Sequence, residues 1–549
     1  MPLPPFRLVQ NPTPGMSEDV DENDTGPDDS GLRFADLVSE PADVPKIRER
    51  VKALAKQARA RGEDATVDDF LAQSRKNDAA YIAPVDLERA EWIARLYDAE
   101  GRPETHPRNF HYQILGKGYE RRNGEPYTAS NSSWTELKEA FKWARIIGLV
   151  DSARIEDAAN PDPKPTAFDD VDRPLPKSGE RTTEGASFGI DVDDGFRSAS
   201  IPQEIELATT LFDDAEEFIE TAAQMISRQA FERIYFDATA EQRYYIEIWS
   251  EKSGVIPEDL AAEYGATIRE SGKGEFSLSM CEKAVDIADK RDQDLALLIV
   301  SDHDPKGMDM PISSSRKCEV LGAIHGVEVE VVQAAVTKEQ VAEFGIPGDP
   351  AKIPDGLEEG VRGAKGYETQ KQIFREYAGQ YPVEIQAFST RYPAAFADEI
   401  EQCLRPYYDV DLGDRIKQNV VDAREEARQI LVDAFDSRRG EIETALADLQ
   451  SGLDDYHERL ASNVDAVEQG LEMLEEQEQT AHEEEGLNEL RQELVDQIES
   501  VDHREILAQV DVPLPDPEVS GSDDPLLDTR RSFMAQLRAY RRFNVRYDD

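Results

Sequence analysis

The sequence predicts a multidomain α/β protein: a small helical domain of winged-helix or helix-turn-helix type, a parallel sheet, and a long C-terminal α-helical coiled coil. Three observations predict it. Between about 203 and 400, apolar runs of strand length alternate with helix-length segments, the pattern of a parallel sheet covered on both faces. From 86 to 151, apolar residues recur at three- and four-residue spacing, as on one face of a helix. Beyond about 411 lies a long acidic region whose apolar residues alternate steps of four and three, as a coiled-coil seam does.

Residues 1–45 are rich in Pro, Asp, Glu and Gly and poor in aromatics. Such a segment buries too little apolar area to offset its ordering entropy, and a disordered acidic tail is expected. A helical domain is assigned to 46–151. It begins with a short basic helix, KIRERVKALAKQARAR, from Lys46 to Arg61, which is either solvated or laid on a nucleic-acid backbone. DLERAEWIARLYDAEG, PRNFHYQILGKGY and SWTELKEAFKWARIIGLVD follow, and in the last Trp134, Leu137, Phe141, Ala144 and Ile147 form one apolar face. Residues 152–202 carry Asp, Pro and Ser without periodicity and read as a linker.

The sheet domain is placed at 203–405, with strands YYIEIWSE (244–251), GATIRES (265–271), LALLIVSD (295–302) and VEVEVVQAAV (327–336). In sheets of this kind the functional loops lie at the carboxyl ends of the strands, and Glu251 and Asp302 fall at two such ends. Within LLIVSDHDPKGMDM, strand alternation sets Asp302 and Asp304 on one side and turns His303 into packing, while Gly307 permits a tight turn into the next helix. Two carboxylates so placed suit a hard cation such as Mg²⁺, held together with waters and phosphate oxygens. Glu251 adds a third acidic group, or acts as general acid or base if crowding by the aspartates raises its pKa. The same Asp-x-Asp also suits a turn or capping device.

The coiled coil is placed at 406–505. Ile442, Leu446, Leu449, Leu453, Tyr456, Leu460, Val464, Val467, Leu471 and Leu474 form the seam, with two successive four-residue steps near Leu460 making a stutter. Leu487, Leu490, Leu494, Ile498 and Val501 either fold back on it or extend a dimer. Residues 506–549 are a Pro- and Asp-rich linker and a final basic helix, TRRSFMAQLRAYRRFNVR, suited to an acidic surface or to phosphate.

The net charge of -53, from 115 acidic against 62 basic residues, is spread over the whole chain. Such a surface repels itself at low ionic strength and is relieved by salt, which points to a salt-rich cytoplasm. It also opposes contact with a polyanion, since phosphate affinity ordinarily comes from Lys and Arg. A divalent cation held by carboxylates offers another bridge. Cys281, Cys318 and Cys403 are far apart and fit neither a disulfide framework nor a zinc pattern, so a reducing cytosol is the expected home. No apolar run reaches membrane-spanning length and the N-terminus has no apolar signal core, so neither a membrane nor a secretory route is expected.

Glu251 with Lys252 at a strand end, the turn SGKGEFS (271–277) and DHDPKG (302–307) occur in the order and approximate spacing of the Toprim domain. More narrowly, the chain resembles the A subunit of topoisomerase VI, the related meiotic double-strand-break transesterase, and a group of bacterial and phage Toprim proteins. VVQAAVTKEQVAEFGIPGDPAK (331–352) and PVEIQAF (382–388) look like that bacterial group as well. The resemblance implies a Rossmann-like Toprim fold for the sheet, with Mg²⁺ on Glu251, Asp302 and Asp304. Lys252, Lys306, Gly272 and Gly274 are then candidates for contact with DNA phosphates.

In the helical domain PRNFHYQIL places Arg108 and Tyr112 at the family's Arg-x-apolar-x-Tyr spacing, with Asn109 and His111 where the family's commonest form has an acidic residue and a first tyrosine. The resemblance implies a homodimer that cleaves DNA by attack of Tyr112, with Arg108 beside it, and a separate ATPase B-type subunit for strand passage. Two other readings stay open at this point: a Toprim nuclease in which metal-activated water replaces the tyrosine, and a non-catalytic DNA-binding or scaffold protein.

Overall fold

The computed structural model describes residues 33–155, 214–231, 238–271, 276–348, 382–463, 487–507 and 509–543. These residues fall into two compact units, one drawn from the described parts of 33–155, 242–410 and 517–543, the other from those of 214–241 and 411–516.

The larger unit opens with α1 (Val44–Ala60), α2 (Pro84–Ala99), α3 (Pro107–Ile114) and α4 (Asn131–Ile146); α5 (Ala215–Phe231) belongs to the other unit. There follow β1 (Tyr244–Ser250), α6 (Glu258–Glu263), β2 (Thr267–Glu270), α7 (Leu278–Arg291), β3 (Asp294–Val300), α8 (Asp309–His325), β4 (Val329–Ala335), α9 (Lys338–Phe344), α10 (Ile385–Arg391) and α11 (Pro393–Leu404). The four strands are those read from the sequence, and they pair in parallel in the order β2-β1-β3-β4. A fifth strand, β5 (Leu527–Asp528), adds antiparallel to β4.

Residues of the central strands divide by parity, as a pleated sheet requires. Tyr245, Trp249, Leu295, Leu297 and Ile299 share one core with α7, α8 and the N-terminal helices. Tyr244, Ile246, Ile248, Ala296, Leu298 and Val300 share another with α6, α10 and α11. Both faces are thus covered, and the strands read as continuous apolar runs for that reason. One interruption is Glu247 in β1, fully buried and bidentate to Arg269 of β2 at 2.7 and 2.8 Å; the fork geometry satisfies both carboxylate oxygens inside the sheet.

Three expectations change. The chain is packed from residue 33 rather than from 46: Phe34 and Val38 are buried, and the Phe34 ring stacks on Phe533 at 5.7 Å, so aromatic burial holds this part of the acidic segment. In α1, Ile47, Val51, Leu54 and Ala58 are buried, while Lys46 pairs with Asp43 and Arg48 and Lys52 pair with Glu49. The helix is therefore amphipathic rather than solvated all round, and carboxylates of its own chain answer these three cations. Finally, α4 buries Leu137, Phe141 and Ala144 as the spacing predicts, with Ile147 buried just past its end, but Trp134 is only half-buried. Among the described residues, 33–155 contain no strand.

The second unit is helical. Its elements are α5, α12 (Leu412–Asp436), α13 (Arg439–Asn463), α14 (Leu487–Glu499) and α15 (His503–Leu507). Phe218, Ile219 and Ala223 of α5 meet Ala427, Leu431 and Phe435 of α12, and Ile442, Leu446 and Leu449 of α13 share that core with Ile498 of α14. These seam positions are thus covered within the chain, and α14 packs on α13. Val464, Val467, Leu471 and Leu474 lie outside the described residues.

The last helix, α16 (Phe533–Phe543), returns to the sheet unit, where Phe533, Leu537 and Tyr540 are buried in the core. Before it, Arg530 meets Asp528 and Glu330. Among the described residues no helix is long and apolar enough to cross a membrane.

Candidate functional site

Chain order fixes where the sheet offers a crevice. From β1 the chain goes to β2 on one side, then back past β1 to β3 on the other, so the connections diverge between β1 and β3. In open α/β sheets that divergence, at the carboxyl ends of the strands, is where ligands bind. The register pairs Ser250 with Val300, the last residues of the two strands. Glu251 and the turn 301–307 therefore emerge side by side.

The two acidic groups meet there. The Asp302 N–H donates to Glu251 Oε2 at 3.3 Å, and Lys252 Nζ lies 3.3 Å from Glu251 Oε1 and 3.0 Å from Asp302 Oδ2. Asp302 Oδ1 accepts the Ile385 N–H at 2.9 Å, at the start of α10. The segment that brings this donor is PVEIQAF: His303 and Val383 exchange both backbone hydrogen bonds at 2.9 Å. His303 is buried, as expected, and its backbone holds the wall of the site.

Asp304 lies in the turn that follows β3. β3 ends at Val300, so strand alternation does not extend to 304; the chain turns instead, and Asp304 Oδ1 accepts the N–H groups of Lys306 and Gly307 at 2.9 and 2.8 Å. This is the turn-capping role open to an aspartate. Among the described residues no group of three His, Cys, Asp or Glu is gathered to hold a metal. Gly307 closes the turn for a steric reason: a Cβ there would stand 1.7 Å from the Asp302 carbonyl oxygen.

Burial, then the neighbouring charge of Asp302, pushes the Glu251 pKa above the usual carboxylate range, and Lys252 offsets part of this. For Lys252 burial works against the charge, but ion pairing with Asp302 and Glu251 outweighs it and the pKa rises. A glutamate whose folded-state pKa is raised contributes stability below its unfolded value, about 4.3, and loses it as pH climbs through the raised value. Glu251→Gln is therefore expected to raise Tm at pH 7, with the gain vanishing near pH 4, as scanning calorimetry at both pH values would show. Equal Tm values at pH 7 would contradict the strain.

The donor set fits a hard divalent cation. Glu251 and Asp302 already share one positive charge, the Lys252 ammonium, and oxygen donors of this kind are those Mg²⁺ takes. Sequence reading treated Lys252 only as a phosphate contact and missed the Ile385 N–H; no local pattern reveals either pairing. Lys306 is exposed, while Gly272 and Gly274 lie outside the described residues.

Tyr112 stands on α3, where Pro107 sits in the first turn and His106 Nδ1 caps the Arg108 N–H at 3.0 Å. Its side chain is 57% exposed, and the Arg108 guanidinium lies 5.4 Å from the ring centre. His111 beside it is buried, with Nδ1 2.6 Å from the Tyr127 hydroxyl. Burial and then the charge of Arg108 lower the His111 pKa, and burial raises that of Tyr127, so this pair stays neutral. No described contact joins Tyr112 to Glu251 or Asp302.

No family model, curated protein or solved structure matches the chain.

Proposed function

We propose that the chain is a Mg²⁺-dependent enzyme acting on nucleic-acid phosphodiesters, a Toprim protein of the topoisomerase VI A-subunit type with a winged-helix domain, in which Tyr112 is the nucleophile. The reading rests on one observation above the others: Glu251 and Asp302 meet around a single cation at the point where the sheet connections diverge. A structural ion pair needs no such location, whereas a phosphoryl-transfer site does.

Magnesium bound there would polarise a phosphoryl oxygen and offset charge on the leaving oxygen. The chain's own groups do the rest. Lys252, displaced from between the carboxylates, is within reach of a phosphate oxygen. The Tyr112 oxygen attacks phosphorus, the bond from phosphorus to the 3′ oxygen breaks, and the phenolic proton ends on the departing 3′ hydroxyl. A 5′-phosphotyrosyl link results. The Arg108 guanidinium, 5.4 Å from the Tyr112 ring centre, is placed to bind an oxygen of the attacked phosphate. In a homodimer, Tyr112 of one protomer meets the carboxylates of its partner.

The test incubates the purified chain with DNA and Mg²⁺ in molar salt, denatures it, and looks for protein-linked 5′ ends. Tyr112→Phe is expected to abolish the link, and Glu251→Gln to reduce its formation by about 10²-fold or more. Cleavage that survives Tyr112→Phe but not Glu251→Gln assigns the nucleophile to water instead. No cleavage of supercoiled, linear or single-stranded DNA would leave a binding protein.

A further inference from the structure

We infer that Arg108, Tyr112, Trp134 and Lys138 form a platform on which unpaired bases of single-stranded nucleic acid stack. This rests on the reading of the chain as a nucleic-acid enzyme and names the form of substrate it grips. Two helices build the platform from i,i+4 pairs. Arg108 and Tyr112 rise from one face of α3, Trp134 and Lys138 from the first turns of α4. The Arg108 guanidinium lies 5.4 Å from the Tyr112 ring centre and 4.8 Å from that of Trp134, and Lys138 Nζ is 5.5 Å from Trp134.

The rings are held from below. His111, 3% exposed, packs its edge against Tyr112 at 5.3 Å, Trp134 at 5.6 Å and Tyr127 at 5.5 Å, and its bond to the Tyr127 hydroxyl fixes its orientation. The histidine that replaces a tyrosine of the family's motif thus serves as a wedge beneath an exposed aromatic surface. Among the described residues Tyr112 is the one exposed aromatic side chain.

Charge points the same way. Several neighbouring cations on this domain face carboxylates: Lys117 meets Glu100, Arg121 meets Glu125 and Glu136, and Arg122 meets Glu88. Arg108 and Lys138 have no carboxylate partner among the described residues and lie on rings instead. In a chain of net charge -53, two uncompensated cations on an aromatic surface mark a place for a ligand that brings both negative charge and π faces. Phosphate contacts weaken steeply as salt rises, whereas base–aromatic stacking is a contact of flat apolar faces that every base can make. A protein built for concentrated salt keeps the second kind of contact. Paired bases already stack on their neighbours, so the platform selects unpaired ones.

The experiment measures fluorescence anisotropy of a labelled fifteen-nucleotide oligothymidylate and of a duplex of equal length, with the full chain in EDTA, at about 0.1 and about 2 M KCl. Tighter binding of the oligothymidylate than of the duplex is expected in high salt. Trp134→Ala and Tyr112→Ala are expected to weaken it on the order of tenfold each, while Tyr112→Phe, which keeps the ring and loses the hydroxyl, binds like the parent. Circular dichroism confirms that each variant is folded, and Trp134→Phe, expected to retain most of the affinity, separates ring loss from misfolding. Equal binding of the two probes, unchanged affinity of Trp134→Ala, or a Tyr112→Phe as weak as Tyr112→Ala each overturns the proposal. Because EDTA removes turnover, these outcomes are independent of the test for a phosphotyrosyl link.

Discussion

Arg316→Met is expected to destabilise the sheet unit by about 3–5 kcal/mol, the usual cost of stripping the counter-charge from a buried pair. Arg316 is 1% exposed and lies 3.2 Å from Asp78 and 2.5 Å from Glu319, both wholly buried. Its guanidinium is enclosed by the rings of Tyr540 at 4.9 Å, Phe34 at 5.6 Å and Phe533 at 5.9 Å, and the Tyr540 hydroxyl donates to Glu319 at 2.7 Å. One side chain therefore ties α8 to the entry segment, the loop before α2 and the terminal helix α16. Methionine fills the volume but leaves two carboxylates in a low-dielectric site without a cation. Burial already pushes the Glu319 pKa up against the pull of Arg316. Without that pull the raised pKa is a liability that grows as pH climbs above the usual carboxylate range, and protonation relieves it at acid pH. Urea unfolding at pH 7 and near pH 4 checks this: the deficit should be large in the first and smaller in the second. A second variant, Arg316→Met with Asp78→Asn and Glu319→Gln, should recover much of the loss, because the orphaned charges are gone. A deficit independent of pH, with no recovery in the triple variant, would mean that Arg316 acts by packing alone.

This cluster was not legible in the sequence, and the reason is physical. Asp78, Arg316, Glu319 and Tyr540 span most of the chain, and a charged residue in a helix carries no mark of whether its partner is water or a residue far along the sequence. The same holds for Glu247 with Arg269, and for Arg530 with Glu330. The strands were legible because a parallel sheet covered on both faces must be apolar on both, and short apolar runs such as LALLIV alternate with helix-length segments. The candidate site was half legible. Strand ends at Glu251 and Asp302 follow from where apolar runs stop, but extending alternation to Asp304 assumed that the strand continued, whereas the ladder ends at Val300 and a turn decides where that side chain goes. Trp134 fitted the apolar spacing of α4 yet stands half-exposed, because the first turn of a helix can leave the core that the rest of it faces.

Gly307→Ala is expected to cost on the order of 3 kcal/mol, at or above the upper end for overpacking, and to take the cation site with it. The glycine is needed for proximity rather than handedness: an added methyl carbon would lie 1.7 Å from the Asp302 carbonyl oxygen and 2.7 Å from its carbon. Both are main-chain atoms, so no side-chain rotation makes room. Either the start of α8 retreats, breaking the bonds from Gly307 N–H to Asp304 at 2.8 Å and from the Ser301 hydroxyl to the Gly307 carbonyl at 2.9 Å, or Asp302 moves. Movement of Asp302 pulls its carboxylate off the Ile385 N–H and away from Glu251, and the two acids no longer share a cation. Calorimetry reads the first consequence as a lowered Tm. Titration with Mn²⁺, followed by its paramagnetic resonance signal, reads the second as weakened binding, by about tenfold for each 1.4 kcal/mol of lost interaction. The two readouts together are informative, since Glu251→Gln should weaken Mn²⁺ while raising Tm at neutral pH, and Gly307→Ala should lower both. A Gly307→Ala protein with the parent's Tm and the parent's affinity would show that the turn does not bring these backbones together, and the pairing of Glu251 with Asp302 would lose its structural basis.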